Sequence, residues 1–278
     1  MIVSMAGFAI EDSFIKLAAS FAPDVPVGQW FVTVAGMGMA VFGLLTVATG
    51  QTLFTRDYFS KPLIVRGVFE VLGRLAYSLA FILTPLITAT AILQATPLVV
   101  MAGAAIFLKE SVKLRHWIAV FCGFVGVMLI LQPWGASFNF LTILAVIGMI
   151  GFAGRDVATR ASPTRMGNFQ LGFIGYSMFA IAGLIMWLLA GRITTTLPLQ
   201  SLMFIGVAGI GGIVGYYALT VAMRTGEVGA VTPWRYSRLI IGALIAWDLF
   251  GERMDTATLI GSTIVVLSGI STFLRFRR

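Results

Sequence analysis

With 278 residues, 59% of them hydrophobic and 11% charged, and a mean hydropathy of +0.97, the chain has too little polar surface to enclose itself in water. That excludes a soluble globule and calls for lipid as the solvent. The net charge of +8 is no nucleic-acid footprint, because most of it falls between apolar runs; the single Cys122 and single His116 exclude an internal disulfide and an imidazole metal cluster.

Apolar runs of about 17–25 residues, long enough to cross a hydrocarbon core, predict ten helical spans at 2–20, 27–49, 63–83, 86–108, 114–131, 138–158, 168–190, 199–221, 229–250 and 256–274. The first follows Met1 with no basic stretch and no small-residue cleavage site, and reads as a retained helix rather than a signal peptide. Pro23-Asp24-Val25-Pro26 joins the first two spans and Thr84-Pro85 the third and fourth. Links so short make the helices they join antiparallel neighbours. If the N-terminus is cytoplasmic, that side receives twelve lysines and arginines, among them Arg56, Lys61, Lys109, Lys113, Arg160 and Arg165, while the far side receives only Arg192 and Arg253. Such a bias sets orientation during insertion. It predicts a multi-pass protein of a bacterial inner (plasma) membrane with both termini in the cytoplasm.

The two halves echo one another. Phe8-Ala9-x-x-Asp12-x-x-x-Lys16 returns as Phe152-Ala153-x-x-Asp156-x-x-x-Arg160, an offset of 144, and Phe107-Leu108-Lys109-Glu110 is answered at an offset of 142 by Leu249-Phe250-Gly251-Glu252. Five spans per half is an odd number, so the second half enters the membrane upside down. The predicted fold class is all-α integral membrane, with ten transmembrane helices in two inverted five-helix repeats, residues 1–133 and 134–278. Inverted repeats are how many secondary transporters build a midplane site that can face either side.

The run Ala89-Thr90-Ala91-Ile92-Leu93-Gln94-Ala95-Thr96-Pro97-Leu98, then Phe107-Leu108-Lys109-Glu110 and Gly123-Phe124-Val125-Gly126-Val127, resembles the first-half signature of the drug/metabolite transporter (DMT) superfamily, EamA type. Tyr217-Ala218-Leu219, Val231-Thr232-Pro233, Phe250-Gly251-Glu252, Gly261 and Gly269 resemble its second half. The opening FA-x-x-D-x-x-x-K is similar to the branch that contains S-adenosylmethionine uptake carriers. The resemblance implies ten helices in two inverted repeats, a site between the third, fourth, eighth and ninth, and peripheral fifth and tenth helices. The chain departs from the branch at Gln29-Trp30, where an arginine is common, and in having Glu70 with Arg74.

Lys16, Arg66, Arg74, Arg235 and Arg238 lie at membrane depth. An ionisable group there costs at least about 2.5–3.5 kcal/mol and needs a partner, a watery cavity or a nearby interface. Arg66, Glu70 and Arg74 recur every four residues and share one helical face, which is expected to look inward, although Arg66 is near enough to the span's end to snorkel. The repeat sets Glu70 opposite Gly212 and Arg74 opposite Tyr216, so the fold itself does not require these charges. In the ninth span, Pro233-Trp234-Arg235-Tyr236-x-Arg238 places two arginines on one face beside two aromatics. Such a pair suits a carboxylate or phosphate, with a ring to stack on a planar or cationic group; an interfacial belt is the plainer alternative.

The predicted substrate site is therefore Arg74, Glu70, Tyr77, Arg235, Tyr236 and Arg238, with Tyr216 or Tyr217 and Trp30 along the path. Glu70 and Glu11 are the proton-coupling candidates; Glu11 has Arg155 as its repeat counterpart and no obvious partner in its own segment. Asp12 with Lys16, and Asp156 with Arg160, form i,i+4 pairs expected to pin the repeat ends, or to act as gates. Glu110 and Glu252 read as helix-end residues, and Gly211-x-x-x-Gly215 as a packing motif.

No HExxH, no GxSxG and no nucleotide-binding domain occurs, which sets aside an enzyme and an ATP-driven pump. What remains is a secondary active permease for a small polar metabolite, carboxylate-bearing or zwitterionic (amino-acid-like or S-adenosylmethionine-like), working by alternating access. A lipid flippase or passive channel of the same fold is the alternative. The expected partners are a small-molecule substrate and the lipid bilayer, with no cofactor, no metal and no nucleic acid, and nothing in the sequence fixes an oligomeric state.

Overall fold

The computed structural model describes residues 1–107, 114–132, 139–163, 165–191, 197–225, 234–235, 237–251 and 255–274. Within them the chain forms eleven α-helices and no strand: α1 (Ile2–Phe21), α2 (Val27–Ala48), α3 (Lys61–Leu83), α4 (Leu86–Leu93), α5 (Thr96–Phe107), α6 (Leu114–Leu131), α7 (Ile143–Arg160), α8 (Asn168–Ala190), α9 (Leu199–Thr225), α10 (Ser237–Phe250) and α11 (Thr256–Leu274). Single 3-10 turns sit at Arg56–Phe59 and Phe140–Thr142.

Four of the described stretches are long and apolar enough to cross a membrane by length and composition: Val27–Ala48, Phe140–Arg160, Asn168–Ala190 and Leu199–Thr225. With 20 and 23 residues, α1 and α3 have the length but carry Glu11, Asp12 and Lys16, and Lys61, Arg66, Glu70 and Arg74. Charge separates them from ordinary spans, and of it Glu11, Asp12, Arg66, Glu70 and Arg74 are buried.

The predicted single span at 86–108 is in fact two helices, α4 and α5, broken at Gln94 and Ala95. Pro97 has no N–H to give to the carbonyl of Leu93, and the Thr96 hydroxyl donates to that carbonyl instead, at 2.5 Å. The backbone crosses the gap in tight i to i−3 bonds, from Gln94 to Ala91 and Ala95 to Ile92, both 3.0 Å. Irregular backbone at this depth is tolerated where it borders a cavity, and Gln94 and Thr96 do line one.

The tightest packing joins α1 to α9, α2 to α8, α3 to α7 and α6 to α11, while α10 lies against α1 and α4. The first four of these contacts all run backbone to backbone at glycines. A Cβ on Gly215 would stand 3.1 Å from the Ser4 carbonyl oxygen, and one on Gly7 2.8 Å from the Gly215 backbone. Likewise a Cβ on Gly73 would stand 3.0 Å from the Gly151 carbonyl carbon. Without a hydrophobic driving force between helices in lipid, close approach through small residues is a main source of association. The packing reading of Gly211 and Gly215 is the one the contacts support. Trp30, Phe31, Phe42 and Phe179 fill the core beside this framework, each at most 1% exposed.

Candidate functional site

Five arginines and four carboxylates are buried at the centre among the described residues: Arg66, Arg74, Arg155, Arg235 and Arg238 with Glu11, Asp12, Glu70 and Asp156. Left unpaired at about 2.5 kcal/mol or more apiece, nine such groups would outweigh the roughly 5–15 kcal/mol stability of a whole domain. Pairing is therefore obligatory, and the structure supplies it within each half and, through Arg238 with Asp12 and Arg155 with Glu70, between them.

Two clasps come from one short segment. Arg235 Nη1 donates to Asp156 Oδ2 of α7 at 2.5 Å, and three residues later Arg238, at the start of α10, pairs with Asp12 of α1. Tyr77 donates its hydroxyl to the same Asp12 oxygen at 3.1 Å. Arg155 closes on its neighbour Asp156 at 2.9 Å and reaches Glu70 at 3.3 Å. Glu70 accepts in addition from Tyr216 at 2.9 Å. Arg74 reaches Glu11 at 3.4 Å and lies 3.9 Å from Glu70. One carboxylate oxygen of Glu11, Nε of Arg74 and the hydroxyl of Tyr176 are buried with no hydrogen bond. Gly212 leaves room for this cluster, since a Cβ there would meet Glu11 and the Tyr176 hydroxyl, both at 2.7 Å.

Rings complete the arginine environments. Arg74 stacks on Phe179 with 4.0 Å to the centroid, Arg155 on Phe152 at 4.9 Å, and Arg238 lies 5.4 Å from Phe8 and 5.5 Å from Tyr77. Desolvated cation–π contacts add to ion pairing and suit guanidinium, which is weakly hydrated.

The cavity between Asp12, Arg74, Tyr77, Arg155, Arg235 and Arg238 has free space of about 30 Å³. Pockets that take a metabolite or drug-sized ligand run to about 300–1,000 Å³. The cavity is far smaller than such a ligand, so the helices must part to admit one.

The model of the EamA-like transporter family matches residues 1–132 and 139–274. The chain belongs to that family. This transporter is 28% identical over 209 residues to a protein named S-adenosylmethionine uptake transporter from Rickettsia bellii (strain RML369-C), covering 74% of this chain and 71% of the relative. It is 28% identical over 234 residues to a riboflavin transporter of Vibrio cholerae serotype O1, covering 81% and 74%. A solved crystal structure superposes on 99% of this chain and 98% of its own with a TM-score of 0.70 at 19% identity, a likeness of fold alone. The chain is thus a multi-pass membrane transporter with bacterial relatives, as the resemblance led one to expect.

The transporter's cavity brings together Arg74, Tyr77, Arg235 and Arg238 of the predicted site, with Glu70 and Tyr216 hydrogen-bonded just behind it. Tyr236, with Glu110 and Glu252, lies outside the described residues. Three expectations need correction. Arg66 does not snorkel: it is 2% exposed and donates to Thr159 at 2.9 Å and to Tyr216 at 2.5 Å. Tyr217 is 39% exposed and stacks on Phe169 at 5.2 Å, because it follows Tyr216 on α9 and so points about 100° away from the site. Trp30 belongs to the packed core and is fully buried there, away from the cavity lining. The two aspartates of the repeated motif, expected to settle their charge within their own helices, also meet Arg238 and Arg235 from elsewhere in the chain. Lys16 lies over the Phe250 ring at 4.9 Å, and Arg160 closes the exposed end of α7.

Arg155, Phe8, Phe152 and Phe179 were not singled out from the sequence. A signal existed for three of them: Phe8 and Phe152 are the invariant first letters of the repeated motif, and Arg155 is the repeat counterpart of Glu11.

Proposed function

We propose that the protein is a secondary active permease that moves a small polar metabolite bearing a carboxylate, S-adenosylmethionine-like or amino-acid-like, across the bacterial inner membrane by alternating access. The observation that carries this reading is the charge count at the centre: five buried arginines against four carboxylates among the described residues leave one positive charge for a substrate anion to neutralise. Uncompensated charge in a dry site is costly, and bidentate guanidinium is well matched to a carboxylate. A substrate with a carboxylate and a flat or cationic group would find arginines and aromatic rings side by side. Of the compounds named for the two relatives, S-adenosylmethionine has such a carboxylate and riboflavin has none, which favours the former class.

The alternating mechanism rests on ten spans in two inverted five-helix repeats, with residues 1–133 opposing 134–278. In its support, the Gly7 contact with α9 and the Gly151 contact with α3 exchange under the repeat, since Gly7 corresponds to Gly151 and Gly215 to Gly73. The aspartates of the two clasps, Asp12 and Asp156, are also repeat counterparts, although both arginines come from one segment of the second half. Loop contacts agree with the positive-inside orientation and cytoplasmic termini: Asp57 pairs with Arg165, two positions assigned to the inner side, and Gln132 bonds Asp255 at 3.1 Å, both assigned to the outer side. One repeat rocking against the other would open one clasp while the second holds. Arg235 and Arg238, with Arg74, Glu70, Tyr77 and Tyr216, are the substrate-binding and gating residues in this scheme, and Glu11 the stronger candidate for proton coupling because one of its oxygens makes no bond.

Counterflow in proteoliposomes tests the proposal. Liposomes loaded with unlabelled S-adenosylmethionine should accumulate labelled S-adenosylmethionine saturably, and riboflavin should neither enter nor compete. Uptake that does not saturate would mark a channel, and scrambling of lipid without solute counterflow a flippase.

A further inference from the structure

A second hollow lies apart from the polar site. α2 and α3 are consecutive in the chain yet barely touch, and α8 bridges them from behind. Between them runs an apolar groove of about 1,000 Å³, floored by Phe173, Ile174 and Met178 of α8 and walled by Ile64, Val68 and Leu72 of α3. Those three wall residues are each more than half exposed, so in a bilayer the groove opens sideways to hydrocarbon. From Leu63 to Leu72 it follows ten residues of α3, a rise of about 14 Å at 1.5 Å per step, which is the depth of one leaflet of a core about 30 Å thick.

One end of the groove is polar and fixed. The turn Arg56–Phe59 caps it, held down where Asp57 pairs with Arg165 and where Gln170 donates to the Thr52 carbonyl at 2.8 Å. Asp57 is thereby neutralised. Arg56 lines the groove, is exposed and makes no ion pair among the described residues, and Lys61 stands exposed one turn before Ile64. Tyr58 also lines this end, and its hydroxyl makes no hydrogen bond among the described residues. Burial pushes that hydroxyl up to about 12, so it stays a neutral donor. An apolar slot one leaflet deep, closed by two uncompensated cations and a spare donor, is complementary to one kind of molecule.

We propose that this groove is a specific site for one phospholipid with an anionic headgroup, an acyl chain lying on α8 between α2 and α3 and the phosphate at Arg56 and Lys61. The lipid would act as a spacer. The groove is formed by the outer faces of α3 and α8, whose inner faces carry Arg66, Glu70, Tyr176 and Phe179, so an occupant sets the spacing of the helices that must part around the polar site.

The test is native mass spectrometry of the delipidated full chain titrated with phosphatidylglycerol and with phosphatidylcholine of the same acyl composition. One phosphatidylglycerol should stay bound where phosphatidylcholine is stripped. Arg56→Gln with Lys61→Gln should reduce that preference about tenfold or more, the scale expected when two basic residues near an anionic surface are lost. Ser177→Phe, which fills the floor, should weaken both lipids. Equal retention of the two lipids, or a preference that survives Arg56→Gln with Lys61→Gln, overturns the proposal, as does a free fatty acid that displaces the phospholipid at equal concentration. A second reading needs no substitution: phosphatidylglycerol carrying a photoreactive acyl chain should label Ile64, Val68 and Ile174. Labelling spread evenly over lipid-facing residues such as Leu188 and Leu202 overturns the site.

Discussion

Removing Arg238 alone takes the guanidinium from Asp12 and leaves it the Tyr77 hydroxyl in a dry interior, where breaking one side of a buried pair costs about 3–5 kcal/mol. Arg238→Gln should therefore lower thermal stability as well as apparent substrate affinity. The two effects separate in Arg238→Gln with Asp12→Asn, which leaves no orphaned charge: its melting temperature should return most of the way to wild type, while KM stays raised by about tenfold or more, the value of a lost charged hydrogen bond. A double variant with normal KM takes Arg238 out of the substrate site. The acids differ in the same spirit. Glu70 is met on both oxygens, by Arg155 and by Tyr216, whereas Glu11 has one oxygen bare. If uptake is driven by protons, Glu11→Gln should flatten its dependence on external pH, and Glu70→Gln should lower uptake at every pH without changing the profile's shape. The reverse outcome moves coupling to Glu70.

Between helices, the strongest prediction concerns side chains that are not there. A methyl group on Gly7 would press into the backbone of α9 at Gly215, and overpacking of this kind costs about 1–3 kcal/mol. Gly206 lies on the same α9 with nothing within 4 Å of its would-be Cβ. Gly7→Ala should lower the melting temperature measurably, and Gly206→Ala should leave it alone or raise it slightly through helix propensity; equal melting points would mean that α1 and α9 are looser than their contacts. Helix existence was readable from the sequence because each apolar run is long and bounded by charge or proline. The break between α4 and α5 was not read from it, although its cause, Pro97 within an apolar run, was in plain view. Hydropathy averages over a span and so passes over a single missing N–H. Arg66 was misjudged for a related reason: depth along a span is legible in sequence, but whether Thr159 and Tyr216 wait at that depth is a matter of how distant helices pack.

At the scale of the molecule, the echo between the halves located Asp12, Asp156 and the phenylalanines beside the arginines, yet it could not say which arginine each aspartate takes, because that depends on the crossing of α10 over both halves. The proposed topology has a direct check. In a Cys122→Ser background, single cysteines at Thr55 and Arg165 should react with an impermeant maleimide only from the cytoplasmic face, and cysteines at Asp24 and Asp255 only from the opposite one. Labelling of Asp24 and Thr55 from the same face would dismantle the inverted arrangement and the alternating mechanism with it.

The pairing of Arg235 and Arg238 with the chain's own aspartates has one more consequence. In the absence of solute the protein already holds a stand-in for it, two resident anions seated on the very cations a newcomer would seek. Arrival is then a swap, and only the difference between guest and resident appears as affinity. Such a carrier binds modestly and lets go readily, and it should turn over fastest where its solute is plentiful.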